Sequence, residues 1–114
     1  MSKDYKALAA EVDARAGNLF KAAQGQMRAF RGLIEAASAA GALDAKTKEL
    51  MALSIAIAIH CEGCVVYHAR APHKLGASRE EVAETVGVAI EMAGAPAVVY
   101  GSEALAAFDQ FAAG

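Results

Sequence analysis

The sequence predicts an all-α fold, a helical bundle of five to six helices, and three observations carry the prediction. Apolar residues recur at steps of three and four, no segment alternates convincingly over a strand length, and residues that start and stop helices fall where the periodic runs begin and end. Helix pairs would then be joined by turns of only a few residues.

The elements follow in order. A first amphipathic helix is expected from about Asp4 to Arg15, with Leu8 and Val12 on one side and an end near Gly17. A second should run from about Phe20 to Ala40, where Phe20, Ala23, Met27, Phe30, Ile34 and Ala37 form one stripe and Gly41 suits a C-terminal cap. Asp44 offers an N-cap for a third, AKTKELMALSIAIAI, which is apolar on every face beyond Leu50. Ile55, Ile57 and Ile59 alternate with alanine as a strand would, but the length of the run decides for helix. A helix apolar all round belongs at the centre of a fold or of an oligomer. The next should reach Leu75 with Gly76 as its stop, and Pro72 would weaken or kink its last turn. Ser78 and Glu81 have capping-box spacing for a further helix, in which Val82, Val86, Ala89 and Ala93 repeat and which Gly94 closes. Pro96 opens the last, with Val98, Leu105 and Phe108 facing inward.

Composition narrows the function classes. A chain of 114 residues fits one domain with a modest core. Eleven Lys and Arg against thirteen Asp and Glu leave a net charge of -2, with no basic tract to follow a phosphate backbone, so nucleic acid is not an expected partner. The hydrophobic fraction is 56%, with thirty alanines, more than so small a domain can hide by itself. A homo-oligomer that buries helix faces between subunits is the simplest reading, and an Ala-rich monomer is the alternative. The start of the chain, MSKDYKALAAEVDAR, is punctuated by charges and does not read as a signal peptide. The most apolar run, residues 50–59, has ten residues, against about 20 for a bilayer span. A cytoplasmic protein with no membrane partner is expected. Two cysteines in a reducing compartment are there for catalysis, metal binding or packing rather than as a permanent bridge.

Residues 59–70, IHCEGCVVYHAR, hold both cysteines and two of the three histidines. On a helix Cys61, Cys64 and His68 fall within an arc of about 60° and share a face with Val65 and Leu75. The cysteines, three apart, would stand about 5–6 Å from each other at Cβ, close enough for a disulfide after small adjustments. Thiol chemistry needs thiolate, and His68, one turn after Cys64, can take the proton; a helix N-terminus near the motif would also favour anionic sulfur. Three readings stay open: a redox pair, a zinc site of Cys61, Cys64 and His68 with His60, Glu62 or Glu49 as fourth ligand, and plain core packing. No second cysteine pair is present to complete a usual structural zinc site. His73 stands about 120° off the motif face and is expected at the surface or an interface. Glu49 opens the apolar third helix, where a carboxylate could orient His68 and relay protons. A continuous helix would put it about 120° off the cysteine, so by itself it reads as a first-turn partner of the helix dipole.

The stretch GALDAKTKELMALSIAIAIHCEGCVVYHARAPHKLGASREEVAETVGVAIEMAGAP resembles the core of the carboxymuconolactone decarboxylase superfamily, and in particular its alkylhydroperoxidase (AhpD-like) branch. It covers about half of the chain, and AFRGLIEAASAAGALD upstream is also similar. That branch is marked by a glutamate, C-x-x-C twelve residues later and a histidine four after the second cysteine; Glu49, Cys61, Cys64 and His68 fit every position. The resemblance implies one domain over residues 1–114 with its core at about 20–94, assembled as homotrimers or homohexamers. It implies a thiol-dependent reductant of alkyl hydroperoxides that uses no heme, flavin or metal and is recharged by a dithiol or lipoyl-type protein. Cys64 would attack the peroxide, Cys61 would resolve the sulfenic acid, and His68 and Glu49 would form the proton relay. Some members carry a histidine between the cysteines where this chain has Glu62 and Gly63, so either His60 or Glu62 compensates or the relay is shorter. Tyr67 is a pocket wall or a packed aromatic. The decarboxylase branch lacks the cysteine pair, which places lactone decarboxylation second; reduction of a partner's disulfide and a non-enzymatic redox-sensing oligomer complete the alternatives.

Overall fold

The computed structural model describes residues 3–114. They form six helices, α1 Tyr5–Ala22, α2 Gln24–Ser38, α3 Ala45–Ala58, α4 Glu62–Lys74, α5 Arg79–Ala93 and α6 Ala95–Ala112, with no strand among the described residues. Helices α3 and α6 pack on each other and each on both α4 and α5, α1 lies against α4 and α6, and α2 touches α1 and α3. The core consists of Tyr5 and Ala9 of α1, Leu53, Ala56 and Ile57 of α3, Val65, Val66 and Ala69 of α4, Val82 and Ala89 of α5, and a face of α6 made of three alanines and Phe108.

Side-chain caps fix several starts. Asp4 accepts from the Ala7 N–H at 3.0 Å and Asp44 from the Thr47 N–H at 2.7 Å. Ser78 and Glu81 form the expected capping box, at 3.1 Å from the Glu81 N–H to the Ser78 hydroxyl and 2.9 Å from the Ser78 N–H to the Glu81 carboxylate. Backbone N–H donors hold the carboxyls of Asp44 and Glu81 below their ordinary range. Their contribution to stability is therefore present above the unfolded carboxylate range and is lost as pH falls through the folded one.

Several boundaries differ from the sequence expectations. α1 does not end near Gly17 but runs to Ala22, because one interior glycine costs only about 1 kcal/mol and no neighbour crowds this one. Phe20 consequently belongs to α1, and the break comes at Ala23, whose φ of -130° and ψ of 57° are not helical. Gly41 is not the cap of α2; the helix ends at Ser38 with Ala39 as C-cap. On α6 Val98 is 51% exposed instead of inward, while Ala97, Gly101, Ala104, Ala107 and Phe108 are buried. Small residues take that face because α5 comes close: a methyl group built on Gly101 would overlap Cγ1 of Val86. The α4 end is as expected, with Pro72 inside the helix and Gly76 at φ 83°.

Two apolar faces are uncovered. α2 buries none of its residues, leaving Phe30, Leu33 and Ile34 exposed. Met51 and Ile55 of α3 and Ile59, its C-cap, are spaced four apart and are likewise exposed. The all-round apolar α3 is therefore central on one side and open on the other.

Candidate active site

The site is built where α3 stops and α4 turns back along it. The stop is a Schellman closure: the His60 N–H donates to the Ile57 carbonyl at 3.3 Å and the Cys61 N–H to the Ala56 carbonyl at 3.2 Å. Between those bonds His60 adopts φ 59°, the left-handed conformation usually given to glycine. The helices are thus not one continuous rod, and the angular argument that set Glu49 about 120° from the cysteine does not apply.

Cys61 is accordingly the N-cap of α4, in extended conformation, and not a residue on its face. Its sulfur accepts the Cys64 N–H at 3.3 Å, and the two cysteines are joined as a disulfide with Cα atoms 5.2 Å apart. Cys64 and His68 stand on successive turns of α4, where an i, i+4 pair shares one face.

The turn brings Glu49 of α3 against that face. Glu49 Oε2 lies 2.7 Å from His68 Nδ1, with the side chains 15% and 26% exposed respectively. A carboxylate that accepts from Nδ1–H fixes the ring's tautomer and leaves Nε2 as the nitrogen that can take a proton. Glu49 is therefore more than a first-turn dipole partner: it orients a histidine. The Tyr67 ring meets the His68 ring edge-on at 5.0 Å, and Tyr67 itself is 47% exposed.

The other candidates go elsewhere. His60 leaves the cysteines' face and stacks on Tyr100 of α6, with centroids 4.9 Å apart and planes 11° from parallel. Glu62 pairs with Lys3, which also bonds Glu103 of α6 at 2.6 Å. Those carboxylates, Glu103 first, hold the Lys3 ammonium well above its usual range. His73, expected at the surface or an interface, is half-buried, edge-on to Phe108 at 5.7 Å. Among the described residues no three His, Cys, Asp or Glu side chains converge as a metal site. Sequence reading missed Lys3, Tyr100 and Glu103, since nothing in a linear spacing links residues so far apart in the chain.

The family model described as the carboxymuconolactone decarboxylase family matches residues 25–107, a span that includes α3, the turn and α4 entire. The chain belongs to the carboxymuconolactone decarboxylase family. An uncharacterised protein of Cupriavidus necator is 38% identical over 109 residues, 96% of each chain. Among solved structures, an apo family protein from Legionella pneumophila superposes with a TM-score of 0.93 at 39% identity, covering 97% of this chain and 99% of that one. A family protein of Thermotoga maritima, for which a role in antioxidative response has been suggested, has a TM-score of 0.80 at 26% identity, covering 90% and 87%. Among the described residues of this family member, no helix is long and apolar enough to cross a membrane.

Proposed function

We propose that this family member is a cysteine-based alkyl hydroperoxide reductase of the AhpD-like branch, working in the cytoplasm. The observation that carries the reading is the Glu49–His68 hydrogen bond at 2.7 Å, on the same helix face as Cys64 of a joined Cys61–Cys64 pair. A plain packing role for the cysteines would not call for a carboxylate-oriented histidine one turn away.

In the reduced enzyme, Nε2 of His68 takes the Cys64 thiol proton while Glu49 holds the ring. The Cys64 thiolate attacks the outer peroxide oxygen; the O–O bond breaks, the alkoxide takes the proton and leaves as alcohol, and Cys64 becomes a sulfenic acid. The Cys61 thiolate then attacks that sulfur, expelling hydroxide, which is protonated to water as the disulfide forms. A dithiol or lipoyl-type protein returns two electrons by thiol–disulfide exchange. No metal or organic cofactor enters these steps. The two sulfurs receive different help, because the α4 N-terminus favours a Cys61 thiolate while His68 serves Cys64. The assignment of Cys64 as the attacking thiol follows the family resemblance.

The test is mass spectrometry of the reduced protein after one equivalent of an organic hydroperoxide. The wild type should lose two hydrogens, and a trapped sulfenic acid should form in Cys61→Ser but not in Cys64→Ser. A wild type that stays reduced on the timescale of the uncatalysed reaction would sink the reading, and turnover of a small lactone by the Cys61→Ser, Cys64→Ser double variant would replace it with decarboxylation.

The same proposal includes assembly as a homotrimer or homohexamer. The uncovered stripes of α2 and α3 support it, since Phe30, Leu33, Ile34, Met51, Ile55 and Ile59 otherwise face water. Light scattering should find the multimer in the wild type and smaller species in Leu33→Glu; a wild-type monomer would remove this part.

A further inference from the structure

Glu49, the carboxylate that orients His68, stands in the first turns of α3 among lysines. Lys46 is three residues before it, on the neighbouring part of the helix surface, where an i, i+3 pair of opposite charge ordinarily meets. An ammonium on Glu49 would compete with His68 for the same carboxylate. Among the described residues that pair does not form. Lys46 Nζ crosses instead to α5 and lies 2.9 Å from Glu81 Oε2, while Glu49 Oε2 keeps its 2.7 Å contact with His68 Nδ1.

Glu81 belongs to the capping box of α5, but the cap does not explain its charge. Oε1 accepts the Ser78 N–H at 2.9 Å, and the Glu81 N–H donates to the Ser78 hydroxyl at 3.1 Å. Glutamine serves a capping box equally, so capping needs one oxygen and no charge. The second oxygen, Oε2, is the one that takes Lys46, and its bond holds the Lys46 ammonium above its ordinary range. The other cations near the starts of these helices are also drawn off. Lys48 donates to the Ala39 carbonyl at 2.6 Å, and Arg79 pairs with Asp109 of α6 at 2.9 Å. Arg70, on the helix of His68, lies 3.4 Å from Asp13 of α1.

We propose that Glu81 is a positioning residue of the site: it holds Lys46 away from Glu49, so that this carboxylate serves His68 alone. The proposal rests on reading His68 as the base of Cys64. With Lys46 bound to α5, the ring of His68 faces an undivided carboxylate, which fixes Nδ1–H and supports the imidazolium that forms when Nε2 takes a proton. With Lys46 released, Glu49 would divide its charge between ammonium and ring. His68 would then be less firmly oriented and a weaker acceptor for the thiol proton.

The test reads the tautomer of His68 by ¹⁵N NMR at pH 8 in a Cys61→Ser, Cys64→Ser background, with the signal assigned by its loss in His68→Gln. Glu81→Gln keeps the cap and frees Lys46, and the ion pair it breaks is worth too little to unfold the chain. We expect the minor tautomer, with hydrogen on Nε2, to rise about two-fold, the scale of one i, i+3 ion pair set against the existing bond. Adding Lys46→Met should restore the original ratio, because no rival cation is left, whereas harm done through a weakened cap would persist. In a Cys61→Ser background, alkylation of Cys64 at pH 7 should slow about two-fold in Glu81→Gln and recover in the same double variant. An unchanged tautomer ratio in Glu81→Gln, or a change that Lys46→Met does not reverse, would overturn the proposal. The tautomer measurement contains neither peroxide nor thiol. A failed peroxidase reading would show separately, as reduced wild type that consumes no peroxide.

Discussion

Two helix ends in this chain are closed by the same hydrogen bonds and filled by different residues. At the end of α4 the Gly76 N–H reaches the His73 carbonyl at 3.1 Å and the Ala77 N–H reaches Pro72 at 2.9 Å. At the end of α3 the corresponding bonds are made by His60 and Cys61, at 3.3 and 3.2 Å. The left-handed position is glycine in the first, at φ 83°, and histidine in the second, at φ 59°. A side chain in that conformation costs about 1–2 kcal/mol relative to glycine. The α4 end takes the conformationally cheap residue, whereas the α3 end, beside the disulfide, does not. The difference separates a turn that only reverses the chain from one whose left-handed residue also stacks on a neighbouring helix.

The largest expected effect is at the α3–α4 turn. On the proposed mechanism His68→Gln removes the base that serves Cys64 and should lower the rate of peroxide consumption by about 10²–10⁴-fold, the usual contribution of a positioned general base. Glu49→Gln keeps an acceptor for Nδ1–H and should cost less, chiefly through a looser ring. Stopped-flow oxidation of the reduced protein reads both. Equal losses in the two variants would mean that Glu49 does more than orient, and no loss in either would reduce the α3–α4 turn to the same status as its counterpart.

Next in size is the structural turn. Gly76→Ala meets open space, since no atom lies within 4 Å of a Cβ built there, so its penalty is conformational alone. It should lower stability by about 1 kcal/mol, a few degrees in Tm, with peroxide turnover and thiol alkylation unchanged. A loss of thiol reactivity in Gly76→Ala, at retained fold, would show that the two turns are coupled and blur the distinction.

How much of this was legible in the sequence depends on the range of the interaction. Local signals read well: the caps at Asp44 and Ser78, the stop at Gly76 and the inward Phe108 follow from neighbours within a turn or two. Gly17 misled because glycine permits a stop without compelling one, and Val98 because α6 turns its small residues, not its larger ones, toward the close approach of α5. Type and spacing singled out Cys61, Cys64 and His68, and Glu49 came from the family resemblance, yet the meeting of Glu49 with His68 was not legible. Glu49 and His68 are 19 residues apart, and their contact depends on a chain reversal at a histidine that carries no turn-forming signature. Lys3, Tyr100 and Glu103 were out of reach for the same reason: the bracket around Cys61 is made wholly of long-range contacts.

The smallest effect is also the one that measures how the α3 end tolerates its histidine. If the Tyr100 stack offsets the left-handed penalty, it should appear as a coupling energy between the two rings. We expect about 0.5–1 kcal/mol from a double-mutant cycle of His60→Gly, Tyr100→Leu and both together, read by urea unfolding. Protein concentration must be fixed throughout, because subunit association would move the midpoints. His60→Gly alone should then gain less than the full glycine advantage, since it forfeits the stack. Zero coupling would mean that the chain bears the whole cost of His60 without structural return from Tyr100. Coupling as large as the penalty itself would make His60 a stable fit to its turn, held there by the ring of Tyr100.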